Sequence, residues 1–224
     1  DWVLDMDQPV GLEQKMWECP HDALSDREYC AFHTHPDDLP GEINEGELFV
    51  EAVNKSSKND DEMARQKKEF VGATFGPFDI EGATLDAGDD HPIRLDHSTF
   101  TAWIHADQAV LKHGLSAQAA RFETSDQEIT DGVMSGISFH CAKFNGDGHI
   151  RFDHANFSGD GELNFGLAKF NGNGYLKFDN AEFSGDGGLD FGYAKFTGDG
   201  TLSFNSAKFT GDGTLSFNSA KFTG

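Results

Sequence analysis

The sequence predicts a mainly β solenoid of stacked coils, on three observations. A thirteen-residue phrase recurs, apolar residues alternate inside it, and a Gly-rich turn closes it. From Ile137 to Gly224 the phrases read ISFHCAKFNGDGH, IRFDHANFSGDGE, LNFGLAKFNGNGY, LKFDNAEFSGDGG, LDFGYAKFTGDGT, LSFNSAKFTGDGT and LSFNSAKFTG. Pairs such as Leu163 and Phe165, or Ala168 and Phe170, are short reaches of extended chain whose side chains point one way. Fixed self-similarity of this kind signals a solenoid, in which a repeat buries its apolar face against its neighbours. The 21 Phe, and 26 Gly against 6 Pro, suit short turns around aromatic fillers. GDG is expected to supply the positive-φ residues of a tight turn.

LSFNS and AKFTG resemble two successive units of the pentapeptide-repeat family, with DGT an insertion that the simple family pattern lacks. The resemblance covers 137–224 clearly. It is looser over 70–122, where FVGATF and the pairs Ala83–Leu85, Ser98–Phe100 and Ala120–Phe122 recur at irregular spacing. It implies a right-handed, quadrilateral β-solenoid with two inward side chains per unit.

Thirteen residues per coil would crowd three bulky side chains and an Ala into too small a section. The best matches lie 26 residues apart: Asp153 and His154 with Asp179 and Asn180, and Gly166 and Leu167 with Gly192 and Tyr193. A coil of ~26 residues, four five-residue sides plus two insertions, restores the square. Phe144, Phe170, Phe196 and Phe222 then stack on one side, and Phe157, Phe183 and Phe209 on the opposite side. Asp160 aligns with Asp186 and Asp212, and Asp147 with Asn173 and Asp199. The edge left at Gly224 leads us to expect that the chain continues, into more coils or a cap, or self-assembles there.

Ahead of the regular block lie irregular coils (70–136), a helical cap or linker (42–69) and a zinc-knuckle region (1–41). GELFVEAV has helical spacing of Leu48, Phe49, Ala52 and Val53. DDEMARQKKEF puts acids at a helix start and Lys67 and Lys68 near its end, as the macrodipole favours. This second helix, Asp60 to Phe70, is expected to cover the first edge of the solenoid. WIHADQAVLKHGLSAQAARF reads either as a short helix or as distorted coils.

WECPHDALSDREYCAFHTHP holds Cys19, His21, Cys30 and His33, with His35 as an alternative ligand, in the spacing C-x-H-x8-C-x2-H-x-H. Zinc takes four thiolate or imidazole ligands in a tetrahedron, and two short chelating pairs joined by a loop can supply them. An all-protein set of this kind is structural. The alternative is free Cys and His in a polar loop. Asp89, Asp90, His91, Asp96, His97, His105 and His113 lack any tight ligand spacing and read as surface charge. The calcium-binding GGxGxD spacing is absent, so calcium is not expected and the GDG turns read as solvated.

Net charge is −22, with −11 over 1–69, −8 over 70–136 and −3 over 137–224. This excess opposes direct binding to a phosphate backbone and looks like adaptation to high salt. Three Cys make no disulfide framework, and no apolar run or signal-peptide pattern occurs; a reducing, cytoplasmic setting is expected. No nucleophile elbow, phosphate-cradling loop or dinucleotide fingerprint is found, and Cys141 reads as a packing residue, so no enzyme is expected. The expected function is a non-catalytic scaffold for protein partners, with Cys141, Leu167 and Tyr193 at one side position of alternate phrases as its contact surface. From the resemblance comes an alternative, since some family members imitate duplex DNA and bind DNA gyrase; an inhibitor or protector of a topoisomerase would follow. Lys143, Lys169, Lys195, Lys208 and Lys221 count against it. A third reading is the soluble part of a longer membrane- or particle-associated protein.

Overall fold

The computed structural model describes residues 3–5, 16–56, 66–88, 92–124 and 136–223. From Thr74 onward the chain winds into a four-sided β-solenoid whose strands stack in parallel. The first face begins with Thr74–Phe75, the second with Phe78–Asp79, the third with Thr84–Leu85 and the fourth with Ile93–Arg94. Register across coils confirms the double period: Phe157 pairs with Phe183 and then Phe209, and Phe144 with Phe170, Phe196 and Phe222. Four sheets and two phrases per lap follow from that register.

The core is built of aromatic columns. Phe144, Phe170, Phe196 and Phe222 stack at 4.6, 4.5 and 4.6 Å between centroids, with nearly parallel planes, as expected of rings one strand spacing apart. Phe157, Phe183 and Phe209 do the same on the first face. Phe139, Phe165, Phe191 and Phe217 form a further column, as do Phe152, Phe178 and Phe204. Ala142, Ala155, Ala168, Ala181 and Ala194 are buried beside them, leaving room for the rings. WIHADQAVLKHGLSAQAARF resolves into coils: Ile104–His105, Val110–Leu111, Leu115–Ser116 and Arg121–Phe122 occupy the four faces in turn. Shorter corners, such as that between Leu111 and Leu115, displaced the repeat from its regular spacing.

Turn chemistry differs from the sequence expectation. The left-handed positions are not the glycines of GDG beyond Gly146, but non-glycine residues before each inward Ala: Cys141, His154, Leu167, Asn180, Tyr193 and Ser206, with φ of 55–59°. Each such turn closes by an i to i+3 bond, as where Ala168 N–H donates to Phe165 C=O at 3.0 Å, with the positive φ at i+2 that marks type II. The GDG glycines serve close approach between coils. A Cβ on Gly172 would lie 1.5 Å from the Gly146 carbonyl oxygen. The Asp between them accepts from the next coil: Asp186 N–H donates to Asp160 Oδ1 at 3.2 Å, and Asp212 N–H to Asp186 Oδ1 at 3.0 Å.

The first edge is covered by the helix α1 (Glu45–Ser56), whose existence the apolar spacing predicted. The sequence assigned this role to the second predicted helix. Its residues 60–65 lie outside the described residues, and Gln66–Lys68 form a single 3-10 turn. Phe49 and Val53 of α1 are buried, Phe49 packing on Phe70 at 4.6 Å and Phe78 at 5.1 Å. Asn54 takes the place of a missing strand, donating to Thr84 C=O and accepting from Asp86 N–H, both at 2.9 Å. A short antiparallel pair, Val3–Asp5 with Met16–Glu18, precedes the cap. Among the described residues no helix is long and apolar enough to cross a membrane.

Candidate metal centre and contact face

Cys19 follows the strand Met16–Glu18, and Cys30 precedes the 3-10 turn Ala31–His33. That turn carries His33 back toward Cys30, so the C-x2-H hook closes locally. The two sulfurs are 3.6 Å apart, and His33 Nδ1 is 3.1 Å from Cys30 Sγ. All three ligand atoms lie within 4.8 Å of one another. In a tetrahedral zinc site the bond lengths place two thiolates about 3.8 Å apart, and a thiolate and imidazole about 3.6 Å apart. The cluster is close to that size.

The imidazoles are held from behind. His33 Nε2 meets the Val71 carbonyl at 3.0 Å, and His21 Nε2 the Glu69 carbonyl at 3.0 Å. A carbonyl only accepts, so each Nε2 carries the hydrogen, and the neutral His21 ring keeps its lone pair on Nδ1. This is the outer-shell arrangement that fixes the tautomer of a metal-ligating histidine. The same bonds satisfy carbonyls at the first edge of the solenoid, so the candidate centre is stitched to the first coil.

Electrostatics favour a thiolate here. The Cys19 contact draws the Cys30 thiol down to about 4, with the His33 ring adding to it and burial opposing. That contact, with burial, pushes Cys19 up. Burial pushes His21 down to about 4 and keeps it neutral. Its ring stacks on Phe70 and meets Phe32 edge-on, both at 4.8 Å, while its backbone N–H points at Cys19 Sγ at 3.4 Å.

Of the predicted ligands, Cys19, Cys30 and His33 converge, while the His21 side chain borders the cluster. His35 is elsewhere: its Nδ1 accepts from Asp37 N–H at 3.3 Å and starts the turn Pro36–Asp38. The acidic and histidine residues of the irregular coils are dispersed. Buried Asp96 accepts from Ser116 Oγ, Gln118 N–H and Arg94 Nε, His105 lies between Asp79 and Asp107, and His113 meets Asp86. His97 occupies a left-handed turn, and Asp89, Asp90 and His91 lie outside the described residues.

Cys141, Leu167 and Tyr193 form a column at the corner between the second and third faces. Each backbone N–H donates to the next coil, as Leu167 N–H does to Gly192 C=O at 2.8 Å. Leu167 is 44% and Tyr193 57% exposed, and Cys141 is half-buried. The spacing identified this column, but the cost of its left-handed backbone was not readable from it. Comparison with protein-family models, curated proteins and solved structures gives no match.

Proposed function

We propose that this chain is a non-catalytic solenoid scaffold of the pentapeptide-repeat kind, capped by a structural zinc centre and contacting protein partners through the Cys141–Leu167–Tyr193 corner. The observation that carries the reading is the pair Leu167 and Tyr193. Both stand at left-handed positions, where an L side chain costs roughly 1–2 kcal/mol. Gln108 and Ser219 fill the same column in other coils, and Asn180 the opposite corner. Folding therefore asks for neither a large apolar side chain nor its exposure, and contact with a partner supplies a reason for both.

Zinc suits two thiolates with imidazole nitrogen, and His21 is assigned the fourth ligand position by the C-x-H spacing. Bound there, the metal would lock Cys19–His33 onto the carbonyls of Glu69 and Val71. Metal analysis of protein purified without chelator should find about one zinc per chain, lost in Cys30→Ser. Stripping the metal should speed amide exchange over Phe70–Phe78; zinc-free protein with the same protection would remove the centre.

For the contact face, pull-down from the native host at its own salt concentration should retain a partner that Tyr193→Asp loses. Equal retention by that variant and by wild type would remove the corner as the contact site.

A further inference from the structure

Six described cations make ion pairs: Lys55 with Glu51, Lys67 with Asp22, Arg94 with Glu69 and Asp96, Lys112 with Asp86, Arg151 with Asp153 and Lys208 with Glu182. Lys177 lies over the Tyr175 ring, and buried Lys68 donates to Ala87 C=O. The third face is different. Its register aligns Lys143, Lys169, Lys195 and Lys221 in one column, all exposed, and none makes an ion pair or side-chain hydrogen bond among the described residues.

Like charges one strand apart, about 4.8 Å, repel. The fold does not require them: at the matching register of the first face, Glu182 and Lys208 form an ion pair at 2.8 Å. The column also has ordered neighbours. Leu167 and Tyr193 stand two residues before Lys169 and Lys195. Two residues after them runs a polar ladder, Asn171 Nδ2 donating to Asn145 Oδ1 at 2.8 Å and Thr197 Oγ1 to Asn171 Oδ1 at 3.3 Å. Apolar, cationic and polar stripes thus run side by side along the axis.

We propose that this face binds an acidic amphipathic helix of a protein partner, laid along the solenoid with its carboxylates over the lysine column and its apolar side on Leu167 and Tyr193. The proposal rests on the contact-face reading above and names the chemistry of its partner. Pitch selects the helix. Successive turns are about 5.4 Å apart, so over three lysine intervals of about 4.8 Å the mismatch is about 2 Å, within the reach of a lysine. Same-side residues of an extended strand are about 6.7 Å apart, and the mismatch reaches about 6 Å, more than one interval. A nucleic acid would meet the field of a chain with net charge −22.

The test is fluorescence anisotropy with a labelled synthetic helix bearing Glu at i, i+4, i+7 and i+11 beside a Leu stripe. A peptide of the same composition with Glu at alternate positions, and a DNA duplex, are the comparators. The helix should bind in a salt-dependent manner, and Lys169→Glu/Lys221→Glu should weaken it by about tenfold or more. The same variant alternates charge along the column, so its thermal midpoint should hold or rise. No binding of the helix, equal binding of either comparator, or an unchanged affinity in the lysine variant would overturn the proposal. In that last case, loss of binding in Tyr193→Asp would leave the contact face standing without its anionic partner. Silence of both variants would remove the contact face as well.

Discussion

Glu45, the first residue of α1, is 7% exposed; its Oε2 accepts from Gly76 N–H at 3.2 Å while Oε1 is buried without a partner among the described residues. Burial pushes its carboxyl from 4.5 up to about 7, against the opposing pull of that N–H. The folded state therefore holds a proton that the unfolded chain releases between those values. Stability from this group is full below about pH 4.5 and falls as pH rises toward 7. Glu45→Gln should flatten that slope, its urea midpoint gaining on wild type across the window; a constant offset would show that Glu45 does not titrate there. Residue-scale legibility was uneven for a physical reason. The Cys30 and His33 spacing was readable because a 3-10 turn brings i and i+3 together within a few residues. Burial of Glu45 depends on Gly76, far along the chain, and no local pattern encodes it.

At the scale of elements, α1 acts as a substitute coil. Asn54 answers Thr84 C=O and Asp86 N–H, His33 and His21 answer Val71 and Glu69, and Lys68 Nζ answers Ala87 C=O at 2.6 Å. Side chains thus satisfy an edge that would otherwise recruit another strand. Asn54→Ala strips two of these partners, at a cost of about 1–3 kcal/mol. Amide exchange at Asp86 should accelerate while Leu163–Phe191 stays protected, because nearest-neighbour coupling keeps the loss local. Uniform acceleration along the rod would mean the coils open as one unit and α1 is not a local lid. The helix was legible from its apolar face, and an edge needing cover was foreseen. A second covering helix was read from Lys67 and Lys68, whose charges suit a helix C-terminus. In the structure Lys67 pairs with Asp22 and Lys68 is buried on Ala87, tying the cap to the rod.

For the whole molecule, coil size was readable because the 26-residue match is a chemical alternation of corners, and stacking registers each corner on its like. Charge is distributed along the same axis: −11 and −8 in segments 1–69 and 70–136, but −3 in 137–224, where each phrase carries its own lysine or arginine. A rod cannot disperse such an imbalance over a sphere, so self-repulsion concentrates at the capped end. Raising KCl from about 0.01 to about 1 M shortens the Debye length from about 30 to about 3 Å, removing repulsion between carboxylates on neighbouring coils. The thermal midpoint should therefore rise with KCl. Amide protection should rise more over 70–124 than over 163–196, where charges are nearly balanced. Sucrose, which favours compactness without screening, separates the causes: it should protect both regions alike. A midpoint that falls with KCl, or a gain shared equally by the balanced coils, would show that the acidic excess is not what limits the stability of the capped end.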